Sequence, residues 1–177
     1  MLFKYPTPKR MADRMPGISM NWCSGVKQCD NIGIMPWQLP GGEMVMTTDS
    51  PDFLKFNKDD LSTQGWHEWK DDFKMTTLGT THIVNDISTG DTIGLVTEMK
   101  SKVPMKYQQV FYRIKAGATN VRERIGAIPN EDGKLWYYHS FGHTADHLCF
   151  PQISVSMNTP GLMAGHPMEQ NFKIDPK

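Results

Sequence analysis

The sequence predicts an α+β domain, with short N-terminal helices packed on a strongly curved antiparallel sheet, a cone enclosing an apolar pocket. Three observations predict it. Apolar residues recur at helical spacing only in the first half of the chain. From His82 onward the character changes to runs rich in β-branched and aromatic residues. Turn chemistry, Thr89-Gly90-Asp91 and Asn130-Glu131-Asp132-Gly133, then separates those runs at short intervals. Helices segregated to one face of such a meander make an α+β domain.

The elements follow in order. Met11, Met15, Ile18, Trp22 and Val26 sit at helical spacing, but Pro16-Gly17 interrupts them. The reading is a helix over 8–15, then a helical or irregular segment through Cys29. The breaker-rich stretch from Ile34 to Gly42 reads as a loop, and Glu43 to Thr48 as a strand. Ser50 is a good N-cap with Pro51 at the first helical position, which predicts a helix turning Phe53, Leu54 and Asn57 inward. A second helix from Ser62 or Thr63 would place Trp66, Trp69 and Phe73 on one face, a spacing that means core packing. Strands are predicted over 81–88, 91–100, 107–117, 119–128, 134–142 and 148–157, with a loose tail over 158–177. The whole chain, 1–177, reads as one domain, its first 50 residues irregular or helical and its sheet over 81–157.

Bulk composition narrows the function classes. Lys plus Arg and Asp plus Glu each number 19, for zero net charge, and no basic cluster stands out. The electrostatic footprint of a nucleic-acid binder is missing, so a small-molecule substrate is the expected partner. Zero net charge also leaves self-association unopposed, which suits a homo-oligomer. Three cysteines without a CxxC pair suggest reduced thiols, although one Cys23–Cys29 bridge is compatible with the spacing. The first residues lack the apolar core of a signal peptide, and no run of 18 apolar residues occurs. The expectation is a cytoplasmic protein without a membrane partner. Thirteen methionines suit an adaptable apolar cavity, or equally a bias of composition.

Residues 62–142 are similar to the nuclear transport factor 2-like superfamily, which includes scytalone dehydratase and the small polyketide cyclases. The likeness lies in a helix ending near Phe73, Thr81-His82 opening a strand, Gly90-Asp91 turning it, and Gly133-Lys134-Leu135-Trp136 beginning a late strand. The resemblance implies the cone-shaped fold with its apolar pocket, and puts His82 where that family carries a catalytic histidine. The number of strands alone also suits a calycin-like antiparallel β-barrel.

The candidate catalytic residues are His82, Asp86, His139, Tyr138 and Tyr112. On an alternating strand, residues 82, 84 and 86 share one face. His exchanges protons near neutral pH, and a carboxylate holds its charged form. At i and i+4 the two lie roughly 13 Å apart, too far for a dyad but suited to opposite ends of one substrate. Tyr112, Tyr138 and His139 would donate hydrogen bonds to a developing oxyanion. His139, His143 and His147 form an H-x3-H-x3-H series, which would be a metal site on a helix; Gly142 and the strand-like residues before it oppose helical presentation, so no metal is assigned. Arg113, Arg122, Arg124 and Glu123 read as a solvated sheet face. No GxGxxG, P-loop, GxSxG or HExxH occurs, so no cofactor is expected. The expected function is cofactor-independent proton-transfer chemistry (dehydration, isomerisation or cyclisation, the work of a lyase, isomerase or cyclase) on an apolar metabolite. The alternatives are a non-catalytic β-barrel binder of an apolar ligand and a module that dimerises through its sheet.

Overall fold

The computed structural model describes residues 35–73, 75–151, 153–163 and 170–175. These residues are almost entirely β, so the α+β cone is not the fold. The expected helix over 8–15, the segment through Cys29 and the Cys23–Cys29 question lie outside the described residues.

The first sheet is an antiparallel meander of β1 (Met35–Gln38), β2 (Met44–Thr47), β3 (Leu54–Phe56) and β4 (Thr63–Trp66), ordered as they occur in the chain. Of its strands only β2 matches a predicted strand. The stretch read as a loop is β1, which pairs Met35 with Thr47 and Gln38 with Met44. It tolerates Pro36 because it is an edge strand, where a missing N–H breaks no ladder. The two helices predicted over 50–73 do not form. The Ser50 hydroxyl accepts from the Asp52 N–H, a local turn rather than a cap, and the chain then extends into β3. The second helix is displaced by β4, where Gly65 takes a φ of 100° that no helix uses. Phe53 and Leu54 are nonetheless buried, and Trp69 and Phe73 pack on the core from the irregular chain after β4.

The second sheet holds β5 (Thr76–Gly79), β6 (Val84–Asn85), β7 (Thr92–Lys102), β8 (Met105–Ile114) and β9 (Glu123–Pro129). Its order is β5-β7-β8-β9, with β6 also paired to β7. The Gly90 turn enters β7, with the Gly90 N–H on the Asp86 carbonyl at 2.8 Å and a φ of 76° that glycine adopts without strain. Residues Thr92 through Met99 are buried without interruption, the mark of a strand covered on both faces. Its alternate residues serve two cores. Val96, with Val110, Tyr112 and Ile114 of β8, meets Leu39, Val45 and Phe53 of the first sheet. Ile93 and Leu95, with Phe111, meet Tyr138 and Phe141 on the other side. Each such fully buried side chain contributes about 1.5–3 kcal/mol of transfer free energy.

Beyond that second core lie β10 (Leu135–Trp136), β13 (Val155–Met157) and β14 (Phe172–Ile174) in one small sheet, and the hairpin of β11 (Gly142–His143) and β12 (Leu148–Cys149). The tail expected to be loose contains a short helix, α1 (Thr159–Met163), and the strand β14. Among the described residues no sheet closes on itself, and neighbouring sheets pack through shared apolar cores, which also overturns the calycin-like barrel.

Between β4 and β9 the core is closed by Arg122. Its guanidinium forms two hydrogen bonds with Asp71, at 2.6 and 3.1 Å, and lies over the rings of Trp69 and Phe73. Both side chains of the pair are 4 % exposed, so Arg122 is a buried strut rather than part of a solvated face.

Candidate active site

Three chain segments from three sheets end at one place. Asp49 lies two residues beyond β2, Thr81 and His82 follow β5, and Tyr137 and His139 follow β10. One backbone and one side-chain bond fix the first two together: the Gly79 N–H donates to the Asp49 carbonyl at 2.9 Å, and the Thr47 hydroxyl to the Thr81 carbonyl at 2.8 Å.

The Asp49 carboxylate is the hub. Its Oδ1 accepts from the Thr81 hydroxyl at 2.6 Å and from the Thr81 N–H at 3.2 Å. Its Oδ2 accepts from the Tyr137 hydroxyl at 2.6 Å. His139 Nδ1 stands 3.1 Å from both oxygens. An ionised carboxylate offers about four lone-pair directions, and this one has four donors. Because a carboxylate only accepts, the proton of neutral His139 sits on Nδ1 and its Nε2 carries a lone pair. That Nε2 faces His82 Nε2 at 3.0 Å, with the two rings in an edge-to-face arrangement at 76°. The Asp49 side chain is 13 % exposed and that of His139 44 %, so the pair is backed by protein and open in front. Burial, then the bond to Asp49, raises the Tyr137 phenol well above its ordinary range, so it stays a donor.

The structure thus brings His82 and His139 together and sends the other candidates elsewhere. The strand face expected to join His82 to Asp86 does not form, because the strand there is only Val84–Asn85. Asp86 instead accepts from the Ser88 N–H and hydroxyl in its own turn, which lowers its pKa. Tyr138 alternates away from Tyr137 and His139 and packs on Phe150 in the second core. Tyr112 is wholly buried beside Trp69 and Phe73, and desolvation pushes its phenol up to about 12. His143 and His147 stay on the β11–β12 hairpin, and among the described residues no three His, Cys, Asp or Glu side chains gather as a metal site would require. Sequence reasoning missed Asp49 and Tyr137. Tyr137 carried a signal, its place two residues from His139 in a strand-like run; Asp49 carried none.

The donor chemistry of the pair suits a metal. Two imidazole nitrogens 3.0 Å apart are compatible with one shared ion, since metal–nitrogen bonds run about 2.0–2.1 Å. A carboxylate on the far ring nitrogen is the usual support of a metal-bound histidine.

Several open antiparallel sheets, with a carboxylate-backed imidazole pair where three of them meet, define a β-propeller-like architecture. Residues 2–177 match the family model of retinal pigment epithelial membrane protein, and the chain belongs to that family. The fold is similar to that of Pseudomonas brassicacearum lignostilbene dioxygenase, with a TM-score of 0.61 and 18 % identity, covering 96 % of this chain and 35 % of that one. It is also similar to a mutant of Synechocystis apocarotenoid oxygenase, with a TM-score of 0.55 and 15 % identity, covering 90 % of this chain and 32 % of that one. The chain therefore spans about a third of the length of these solved structures. No curated protein sequence matches it.

These findings overturn the nuclear transport factor 2-like resemblance and the cofactor-independent proton-transfer enzyme and barrel binder that went with the expected folds. The antiparallel sheet holds; lyase and cyclase chemistry has no support. No helix among the described residues is long and apolar enough to cross a membrane.

Proposed function

We propose that His82 and His139 supply two ligands to a redox-active metal in an oxygenase or isomerase of apolar, conjugated small molecules, of the stilbene or apocarotenoid kind. The observation that carries this reading is the pair of Nε2 atoms at 3.0 Å, one of them fixed as a lone pair by Asp49. Imidazole suits iron, copper, zinc and nickel, and a redox-active member such as ferrous iron supplies oxygen activation when bound. The likeness to a lignostilbene dioxygenase and an apocarotenoid oxygenase supports both the chemistry and the substrate class.

The chain's own contribution is positional. Asp49 sets the tautomer of His139, and its charge raises the basicity of the ring. The bonds from the Gly79 N–H and the Thr47 hydroxyl hold the His82 segment against the Asp49 segment, and Asp49 holds His139, so both imidazoles are placed before anything binds. Such preorganisation removes the cost of ordering the ligands on binding.

Anaerobic titration of the chain with ferrous ion tests the reading. Binding is expected for the wild type, with at least a tenfold loss in His82→Ala and in His139→Ala and none in His143→Ala. Equal affinity in all four would sink it.

A further inference from the structure

Asp49 is mostly buried, and a buried carboxyl group must satisfy every lone pair it keeps from water. Only one of its four donors is the histidine it supports. Thr81 and Tyr137 supply the other three bonds, one residue before His82 and two residues before His139. Each of them touches Asp49 from the same segment as one of the paired imidazoles. We propose that Tyr137 and Thr81 are positioning residues that clamp the Asp49 carboxylate from both sides, so that His139 keeps its proton on Nδ1 and presents Nε2 as a lone pair.

The physical reason is what Asp49 does without them. Stripped of the phenol or the hydroxyl, a carboxylate with an unsatisfied lone pair turns toward the solvent in front of the site. It then loosens its hold on His139 Nδ1, to which Tyr137 Oη also stands at 3.1 Å, and the neutral ring is freer to place its proton on Nε2, the atom that must bind. Thr81 Oγ1 and Tyr137 Oη sit on different carboxylate oxygens, so loss of either releases one edge of the clamp. The inference rests on the metal reading for its purpose, but not for its first readout, which needs no metal.

The test uses the whole 177-residue chain as wild type, Tyr137→Phe, Thr81→Val and Thr81→Ser. The ring-nitrogen ¹⁵N shifts of His139 report its tautomer in the metal-free protein, and titration with zinc ion reports affinity. The wild type and Thr81→Ser are expected to show His139 as the Nδ1–H form. Tyr137→Phe and Thr81→Val are expected to show a mixture, with zinc affinity lowered about 10–100-fold, the usual effect of losing support around a ligand histidine. If both variants fold, as judged by circular dichroism, and keep a pure Nδ1–H His139 the clamp is overturned. If Tyr137→Phe does not fold, the contrast between Thr81→Val and Thr81→Ser decides alone. A wild type that shows the Nδ1–H form but binds no zinc or ferrous ion overturns the metal reading and leaves the clamp standing.

Discussion

His67 shows what a single buried histidine does when it is not at the site. It is 3 % exposed, packed edge-on to Trp69 and against Phe53, and donates Nδ1–H to Glu43 at 2.6 Å. Burial is the main cause that lowers its pKa from 6.5; the Glu43 carboxylate opposes it, and nearby Lys55 adds to the lowering. In the unfolded chain the ring keeps its ordinary value. Above pH 6.5 neither state binds the proton and the stability is fully present. As pH falls below 6.5 the unfolded chain takes up the proton first, and stability drains until the lowered native pKa is passed. Urea midpoints measured on either side of pH 6.5 are therefore expected to fall more steeply for the wild type than for His67→Phe; parallel curves would show that His67 carries no such linkage. The same contrast explains which site residues were legible. His82 and His139 stand out because histidine is rare and chemically loud. Asp49 is one of many surface-type carboxylates in the sequence, and only the meeting of the segments after β2, β5 and β10 gives it four donors.

At the scale of elements, β7 and β8 are the legible part, and Gly94 shows why their pairing is specific. Gly94 stands opposite Tyr112, whose ring lies where a Cβ on Gly94 would go. The ring cannot swing aside, because Trp69, Phe73 and the Arg122 guanidinium enclose it. Gly94→Ala is expected to cost at least about 1–3 kcal/mol in urea unfolding, the usual penalty of overpacking a filled core. Tyr112→Leu should recover part of that loss in the Gly94→Ala background while being destabilising alone; simple additivity of the two would refute the contact. Long buried runs such as Thr92–Met99 announce a strand from sequence alone. The short strands do not. β1 contains a proline and β4 a glycine at positive φ, and both are strands only because β2 and β3 lie beside them with free edges. Tertiary pairing overrode local propensity there, and the tryptophan spacing that suggested a helix came from the end of β4 and the irregular chain after it.

At the scale of the molecule, the sequence showed many short antiparallel strands but not how they group. A meander of this composition can close, curl over helices or break into stacked sheets. The choice depends on which faces are apolar, and both faces of β7 are. Once β7 is buried on both sides, a sheet must lie on each, and the layers stack. This stacking makes the site a junction: Asp49 belongs to the first layer, His82 to the second and His139 to the third. An ion held by the two imidazoles therefore ties layers that are otherwise joined by apolar contact and a few hydrogen bonds. Anything that binds the folded chain alone stabilises it by mass action, about 2.7 kcal/mol at a hundredfold excess over the dissociation constant. For a chain of this size that corresponds to a rise of roughly 5–10 °C in the melting midpoint. Ferrous or zinc ion is expected to give such a rise in the wild type, none in His82→Ala, and a reduced one in Asp49→Ala at the same ion concentration. The metal-free midpoints of the variants separate lost binding from lost stability. An ion that raises the His82→Ala midpoint as far as the wild type's would mean that it binds elsewhere, and that the junction is held by protein contacts alone.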